Sequence, residues 1–401
     1  MVDTVMTRIL IGRTMSFKFE QLTKTSRVEI SRSALLHNVR TIRSIIGDGV
    51  DIAPVVKACA YGHGYNQVVD ILKGEKVRFF AVHSIDEAET LTKSYPNLPI
   101  LILGYVPGEY LEHAVRKDWR LTVFNVETIQ KLAQITASLN RRAFVHLKLE
   151  TGTNRQGIIE SDLPAFIELT RSSPQVVLEG AAMHFANIED TTDHSFAKMQ
   201  LERFNRMMEL FERAKVNVLI RHAASSAASL LFEKTHFNMI RFGISMYGLW
   251  PSKETYLSYM LAHGEDSLLK PVLSWKSIIG QIKEVPSGDY VGYGCTYRTT
   301  TDSRIAVIPL GYFDGYDRKM SNLAHVLIRG RRAPVRGRIC MDMFMVDVTA
   351  IPNASLEDEV VLIGEQGDEK ITVEQLAGWA GTINYEIVSR INPLQPRVIV
   401  D

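Results

Sequence analysis

The feature that most constrains the fold is a regular alternation of short apolar runs with longer amphipathic stretches, from about residue 50 to residue 245. The short runs have the length of strands, and the stretches of 10 to 20 residues between them have the period of helices. The candidate strands are Asp51–Lys57, Phe79–His83, Ile100–Gly104, Leu121–Phe124, Ala143–Leu149, Val176–His184, Asn217–His222 and Met239–Ser245. Eight βα units within roughly 200 residues favour a (β/α)8, TIM-like barrel, although an open doubly wound sheet has the same periodicity.

The pattern changes after about residue 265, where strand-like runs are separated by turn residues. These runs are Val272–Val285, Arg304–Leu310, His325–Ile328, Met343–Val348 and Glu359–Ile363, and only Val373–Trp379 has a helical pattern. We therefore expect three parts: an N-terminal extension (residues 1–25), a barrel domain (residues 26–265) and a mainly β domain (residues 266–401).

Composition argues against two classes of partner, nucleic acids and membranes. The chain has 401 residues, 46 basic and 45 acidic side chains and a formal net charge of +1, which gives no reason to expect nucleic acid or an anionic membrane as a partner. It has no apolar run of 18 residues, and charged residues interrupt any signal-peptide core near the start. Three widely separated cysteines predict neither a disulfide framework nor a metal site, so we expect a cytoplasmic protein.

Lys57 stands where the first candidate strand ends, in the segment Pro54-Val-Val-Lys57-Ala-Cys-Ala-Tyr61-Gly-His-Gly. A lysine at such a strand end is either an ordinary side chain that reaches water or a partly desolvated amine. Desolvation lowers the pKa of an amine and suits it to Schiff-base chemistry. The loops after the seventh and eighth candidate strands carry Ser226 and Gly243, a pairing that suits a phosphate. Lysine and phosphate site together point to pyridoxal phosphate (PLP).

Motifs spread over nearly the whole chain support this interpretation. In order they read Val56-Lys57-Ala-Cys-Ala-Tyr61-Gly-His-Gly, His146-Leu-Lys148-Leu-Glu-Thr-Gly-Thr-Asn-Arg155-Gln-Gly, Met183-His184-Phe-Ala, His222-Ala-Ala-Ser-Ser226-Ala, Arg241-Phe-Gly-Ile, Gly292-Tyr293-Gly, Gly311-Tyr312-Phe-Asp-Gly-Tyr, Gly337-Arg-Ile-Cys340-Met341-Asp342 and Thr382-Ile-Asn-Tyr385-Glu. From about Ser26 to Arg397 the chain thus resembles the alanine racemase family of barrel-type (fold-type III) PLP enzymes.

The resemblance implies two catalytic bases. Lys57 would form the internal aldimine with PLP and act on one face of the substrate, and Tyr293, in the β domain, would act on the other. Racemisation needs two groups, because removal and return of a proton on one face regenerate the starting enantiomer. A phenol with a pKa near ~10 is a poor base, so the second base needs a cationic neighbourhood.

The resemblance also implies that Arg241 faces the pyridine nitrogen of PLP. An arginine does not give up its proton, so it leaves that nitrogen unprotonated and disfavours deep carbanion stabilisation. The related barrel-type decarboxylases have a carboxylate at this position, and Arg241 disfavours that function. His222 and His184 would support Arg241, although each is equally explained as a core histidine.

The remaining implied roles concern binding. Arg155 would hold the cofactor phenolate and help to place Tyr293 or the substrate carboxylate, and Lys148 matches a position that is often carbamylated in the family. The implied phosphate ligands are Tyr61, Ser226, Gly243, Ile244 and Tyr385. Met341 would contact the substrate carboxylate, and Tyr312, with Tyr385, would narrow the access. The family further implies a head-to-tail homodimer in which Tyr293 of one chain completes the site of the other.

Four departures from the family pattern border the expected pocket: Ser225, Phe242, Glu150 and the pair Thr153-Asn154. None removes a catalytic group, but a methylene or hydroxyl in a pocket changes specificity by only ~1–3 kcal/mol. We therefore expect a racemase of L- and D-alanine that supplies D-alanine for peptidoglycan. The alternatives are a serine or broad-specificity racemase and a PLP-binding carrier without turnover, for which a second base has no use.

Overall fold

The structure is a computed structural model that describes residues 25–190, 192–264 and 268–401. The expected extension, residues 1–25, lies outside the described residues apart from Thr25, and so does the boundary expected at residue 265. Within the described ranges, no helix is both long and apolar enough to cross a membrane.

Eight parallel strands form the barrel that the alternating pattern predicts. Strand β1 (Ser26–Ser31) and helix α1 (Arg32–Ile46) precede it. The barrel strands are β2 (Asp51–Pro54), β3 (Phe80–Val82), β4 (Ile100–Ile102), β5 (Arg120–Val123), β6 (Ala143–Lys148), β7 (Val176–Ala182), β8 (Ile220–His222) and β9 (Met239–Phe242). Around them lie α2 (Lys57–Tyr61), a single turn in which residues 58–61 are left-handed, and the helices α3 (Tyr65–Leu72), α4 (Ile85–Ser94), α5 (Leu111–Arg116), α6 (Val126–Leu139), α7 (Leu163–Arg171), α8 (Ser195–Arg213), α9 (Ser226–Leu231) and α10 (Lys253–His263).

The ring of strands closes between the two ends of this sequence. Strands β3 to β8 pair in chain order, β2 pairs in parallel with β9, and a bridge between Val55 and Ala81 joins β2 to β3. Asn238 links β8 to β9, because its side chain accepts from the amide of Arg221 at 2.7 Å and donates to the carbonyl of Leu219 at 2.6 Å. All carboxyl ends of the strands therefore meet at one mouth, where active sites of such barrels lie.

The C-terminal region is mainly β, as the sequence predicts. Its strands are β10 (Leu273–Ile278), β11 (Gln281–Val285), β12 (Ser303–Ile308), β13 (His325–Ile328), β14 (Arg331–Pro334), β15 (Phe344–Asp347), β16 (Glu359–Gln366), β17 (Glu369–Ile371) and β18 (Arg397–Val400), with helices α11 (Val373–Ala380) and α12 (Asn384–Ser389). One sheet has the order β14-β13-β16-β10-β1-β18, with β17 beside β16, and the other has the order β11-β12-β15.

Strand β1 belongs to the first of these sheets, although the sequence groups residues 26–31 with the barrel. It pairs antiparallel with β10 and parallel with β18, the last strand of the chain. The N-terminal strand thus ties the C-terminal region to helix α1. The domain limits, 26–265 and 266–401, remain a proposal.

A close backbone contact joins the barrel mouth to helix α12. Gly62, with a φ of 79°, lies so near this helix that a Cβ atom built on it would be 1.8 Å from the carbonyl oxygen of Val388. The guanidinium of Arg397 donates from Nε to the carbonyl of Gly62 at 3.0 Å. The loop after Lys57 is therefore held by the C-terminal region of its own chain.

Replacing Gly62 by alanine should destabilise the protein more than the left-handed backbone alone explains. Gly264 is the matched control, because its φ is 71° and no atom of the described residues lies within 4 Å of a Cβ built there. We expect Gly264→Ala to cost about 1 kcal/mol of unfolding free energy and Gly62→Ala to cost a further 1–3 kcal/mol, roughly the cost of overpacking. Urea unfolding of both variants measures the difference, and equal losses would contradict the close contact.

Candidate active site

The chain reverses sharply at Lys57 through a left-handed turn. Ala58, Cys59, Ala60 and Tyr61 have φ values of 53°, 54°, 53° and 53°. A non-glycine residue in this region costs roughly 1–2 kcal/mol, so the surroundings must hold the turn in place. Since only Gly62 and Gly64 mark this segment as unusual, the left-handed run is not predictable from its alanines and cysteine.

Glu87, at the start of α4, holds the turn at its first residue. Its carboxylate accepts from the amides of Ala58 and His83, each at 2.6 Å. Ser84 caps α4 by accepting from the amide of Glu87 at 3.3 Å. The segment Ser84–Glu87 has the sequence of a capping box, but the glutamate here bonds to the lysine loop.

Lys57 is surrounded by cations in a mostly buried position. Burial lowers the pKa of Lys57, the positive charges of Arg155 and Arg241 lower it further, and the charge of Glu87 raises it. Its Nζ lies 6.0 Å from the centre of the Tyr61 ring. A lysine with a lowered pKa has a larger share of free amine, the form that attacks a carbonyl carbon.

A small polar pocket lies beside Lys57, between α9 and β9. The amides of Gly243 and Ser245 donate to Oγ of Ser226 at 3.1 and 3.3 Å, which leaves the hydroxyl proton of Ser226 free to donate elsewhere. The Tyr61 hydroxyl lies 3.0 Å from a Cβ built on Gly243, so a larger residue there would crowd this hydroxyl. In the described part of the chain, the buried hydroxyls of Ser225 and Ser245 have no hydrogen-bond partner.

Two aromatic side chains border this pocket. The ring centres of Tyr61 and Tyr385 are 6.2 Å apart, and Tyr385 comes from α12 of the C-terminal region. Burial raises the pKa of each phenol. Both hydroxyls therefore remain protonated donors at neutral pH.

Arg241, on β9, is held by four hydrogen bonds from its two terminal nitrogens. Nη1 donates to Nδ1 and to the carbonyl of His222 at 2.8 and 2.7 Å. Nη2 donates to the carbonyls of Met183 and Ala223 at 2.8 and 2.9 Å, and lies 3.4 Å from Nδ1 of His184. Burial lowers the pKa of Arg241 to about 10, so the guanidinium stays charged at neutral pH.

The loop from residue 150 to residue 155 is ordered by Glu150 and Thr153, two of the departures noted above. Burial raises the pKa of Glu150, but hydrogen bonds from the loop amides, among them Gly152 at 2.6 Å, outweigh it and lower that pKa overall. The hydroxyl of Thr153 donates to the carbonyl of His184 at 2.7 Å. The buried amide of Gln200 donates to the same carbonyl at 3.2 Å, a contact that the sequence does not reveal.

Two further groups at the mouth have strongly altered acidity. Burial lowers the pKa of Lys148 well below its usual value, and the charges of Arg241 and Arg155 act in the same direction. Burial and the neighbouring Lys148 and Arg241 also lower the pKa of His184. The charge of Glu150 raises the pKa of Lys148 but does not outweigh these effects, so positive charge dominates the barrel mouth.

Among the described residues, no hydrogen bond or ring contact joins Tyr293 to this mouth. Tyr293 is 69% exposed on the C-terminal region, where its flanking glycines lie next to Arg338 and Met345. Tyr312 and Met341 are also exposed, and the amide of Tyr312 donates to the carbonyl of Cys340 at 3.0 Å. The expected site residues thus form two groups: the barrel group with Tyr385, and an exposed group of Tyr293, Tyr312 and Met341.

Comparison with known proteins gives matches along nearly the whole chain. Residues 30–251 match the family "Alanine racemase, N-terminal domain" and residues 272–399 match "Alanine racemase, C-terminal domain". The alanine racemase of Leptospira interrogans is 37% identical over 379 residues, which cover 94% of this chain and 97% of that protein.

Solved structures share the fold. The crystal structure of alanine racemase from Bacillus anthracis with bound L-Ala-P has a TM-score of 0.87 at 34% identity, over 94% of this chain and 95% of that chain. A histidine racemase from Leuconostoc mesenteroides subsp. sake has a TM-score of 0.86 at 26% identity, over 95% of this chain and 99% of that chain. Proteins that share this fold are therefore named as racemases of different amino acids, alanine and histidine.

Removing the charge of Glu87 should lower the pKa of Lys57 further, because this carboxylate is the neighbouring group that raises it. Glu87→Gln keeps the size of the side chain, and Asp86→Asn, at an exposed neighbouring position, is the control. The pH dependence of Lys57 methylation by formaldehyde and borohydride, followed by peptide mass spectrometry, measures the pKa. An unchanged or higher value in Glu87→Gln alone would contradict the assignment.

Proposed function

The chain belongs to the alanine racemase family, and we propose that it is a PLP-dependent enzyme that interconverts L- and D-alanine with two bases, Lys57 and Tyr293. The product D-alanine would serve peptidoglycan synthesis in the cytoplasm. The observation that carries the proposal is that one barrel mouth combines a lysine of lowered pKa, a pocket of unused hydroxyl donors and a fully charged arginine.

The residues at the mouth fit PLP. A phosphate in the pocket beside Lys57 would take up the free hydroxyl proton of Ser226 and satisfy the buried hydroxyls of Ser225 and Ser245. The hydroxyls of Tyr61 and Tyr385 and the backbone at Gly243 and Ile244 complete this set of donors. The positive charge of the mouth also favours a phosphate and the carboxylate of an amino acid.

When bound, PLP supplies an aldehyde that condenses with amines and a conjugated ring that withdraws electrons from the substrate Cα. Lys57 is the amine that holds the group, and its free base takes or returns the Cα proton on one face. Arg241 donates its Nη hydrogens to His222, Met183 and Ala223, and its Nε–H would therefore be the donor to a ring nitrogen. Because this cation is held fast and does not release a proton, it limits electron withdrawal by the ring.

Tyr293 would act on the opposite face, and we propose that it comes from a second chain. Within one chain this phenol is 69% exposed on the C-terminal region, whereas Lys57 is largely buried at the barrel mouth. A head-to-tail homodimer would cover the exposed group and would bring Tyr293 of the partner subunit to the face opposite Lys57. Arg155, with Met341 and Tyr312 of the partner subunit, would bind the substrate carboxylate and restrict the pocket.

Specificity for alanine needs its own measurement. The fold is shared with a protein named histidine racemase, and Glu150 and Thr153 order a loop at the edge of the pocket. A panel of L-alanine, L-serine and L-histidine, followed by circular dichroism, distinguishes the proposed enzyme from a broad-specificity racemase. Binding of PLP without racemisation of any amino acid would favour a carrier.

Mixing two inactive variants should restore activity. Lys57→Ala and Tyr293→Phe each remove one base, but a mixed dimer has one site with both bases intact. Since half of the dimers are mixed after random exchange, about a quarter of the wild-type sites should return. Loss of optical rotation of L-alanine measures the recovery.

The control is a mixture of Lys57→Ala chains with chains that carry both substitutions, which creates no complete site. Subunit exchange is verified with differently tagged chains and native mass spectrometry. Confirmed exchange without recovery of activity would show that the two bases do not meet across subunits.

We also propose that Lys148 is carbamylated. Its lowered pKa leaves a free amine that can add to carbon dioxide, forming an N–C bond and releasing one proton. The resulting carbamate is an anion beside Arg155 and Arg241, and it would offset the charge that lowers the pKa values of the nearby groups.

The protein incubated with 13C-labelled bicarbonate should give a carbamate carbon signal in its NMR spectrum. Lys148→Met is the control, because it keeps the length of the side chain and has no amine. A spectrum that is the same for both proteins would exclude the modification.

A further inference from the structure

A chain of buried polar side chains continues from Arg241 into the barrel, beyond the residues that any step above uses. Nε2 of His222 lies 2.9 Å from Nδ1 of His146, and Nε2 of His146 lies 3.1 Å from Oε2 of Glu179. Nε of Arg120 lies 3.2 Å from the same carboxylate oxygen. Both histidines are fully buried, so every polar atom in this row of hydrogen-bonded side chains needs a partner.

The direction of each hydrogen bond follows from its two ends. Arg241 has only donors, so Nδ1 of His222 accepts and its proton is on Nε2. That proton is donated to Nδ1 of His146, whose own proton is then on Nε2 and is donated to Glu179. One tautomer of each neutral imidazole satisfies the whole chain.

The charge states agree with this direction. Burial lowers the pKa of both His146 and His222, which keeps the imidazoles neutral. Burial raises the pKa of Glu179, but the hydrogen bond from His146 and the charge of Arg120 outweigh it, and the pKa lies below its usual value. This row of side chains thus has the cation of Arg241 at the mouth and the carboxylate of Glu179 inside the barrel.

Small and aromatic residues of neighbouring strands leave space for the buried imidazole of His146. A Cβ built on Gly180 would lie 2.5 Å from Nδ1 of His146, so β7 admits the imidazole only because it has glycine there. The ring of Phe79 packs edge-on against His146 at 6.0 Å. Burying several polar groups in a row is expensive unless all of them are paired, and here they are.

We infer that Glu179 and His146 are positioning residues of the active site: with Arg241 at one end and Glu179 at the other, only one tautomer of each histidine pairs every buried polar atom, and in it His222 accepts from Arg241. Arg241 is then held with its four Nη hydrogens engaged and Nε–H left for the cofactor ring. The assignment of a ring partner rests on the proposed function, whereas the tautomers do not.

The decisive variant is Glu179→Leu, which removes the acceptor at the far end of the chain. Without Glu179, the wild-type tautomers leave the buried Nε2–H of His146 without a partner, which is costly. The reversed tautomers pair that nitrogen no better and lose the bond from Arg241 to His222, so neither state pairs every group. Nitrogen NMR of the full-length protein, as purified and labelled in histidine, should therefore show that the wild-type tautomers are no longer the only ones populated.

Glu179→Gln tests the conservative change, because its amide oxygen still accepts from His146 and should keep the wild-type tautomers. Glu168→Leu is the matched control, since the side chain of Glu168 is 68% exposed on α7. In racemisation assays, Glu179→Leu should lower kcat about 10- to 100-fold with little change in KM, and the other two variants should remain close to wild type.

Only the wild-type tautomers of both histidines in Glu179→Leu would overturn the inference. If that variant does not fold, His146→Leu and His146→Gln give the same test one step closer, read on His222 alone. A second tautomer of His222 is expected only with leucine, and a single wild-type tautomer in both variants would overturn the inference. Loss of the single wild-type tautomers in Glu179→Leu, in a protein that racemises no amino acid, would refute the proposed function and leave the positioning role supported.

Discussion

The left-handed turn after Lys57 is the constraint on which the site depends. Four consecutive non-glycine residues at positive φ are held by contacts from both ends. Glu87 bonds the amide of Ala58, and Arg397 bonds the carbonyl of Gly62, so the turn is fixed between a barrel helix and the last strand of the chain. The strained segment thereby presents the amine of Lys57 from a rigid frame, as positioning for catalysis requires.

Electrostatics gives this frame its chemical character. Burial is the main cause of the lowered pKa values of Lys57, Lys148 and His184, and in each case neighbouring cations add to it. Such a cluster is costly unless anions join it. A phosphate, a substrate carboxylate and a carbamate on Lys148 are three anions that the proposed function would bring to the mouth. Inside the barrel, the carboxylate of Glu179 is joined to Arg241 by the hydrogen bonds of His146 and His222.

Much of the fold follows from the sequence because it rests on local pattern. The period of apolar residues predicts all eight barrel strands, and the change of period predicts a mainly β C-terminal region. The pairing of β1 with β10 and β18 is not predictable in this way, since the partners are far apart in sequence. The single predicted run Val272–Val285 divides into β10 and β11, which pair in different sheets.

The site shows the same division. Lys57, Ser226 and Gly243 follow the ends of predicted strands, and the motifs around them can be recognised from the sequence. The tautomer chain cannot, because His146, Glu179 and His222 lie on three different strands and have the appearance of ordinary core or surface residues in sequence. Glu87 is similar: its spacing from Ser84 indicates a helix cap, whereas its carboxylate bonds to the backbone next to Lys57.

The C-terminal region contacts the lysine turn of its own barrel, and a hydrogen bond joins this contact to the loop of Tyr312. Through Tyr385, Val388 and Arg397 it packs against the lysine turn of its own barrel. The amide of Asn392, which follows α12, donates to the carbonyl of Asp314 at 3.0 Å, and thus joins this contact to the loop that carries Tyr312 in the exposed group. In the proposed dimer, the C-terminal region of one chain would therefore hold the lysine turn of its own site and supply Tyr293 to the site of the partner subunit.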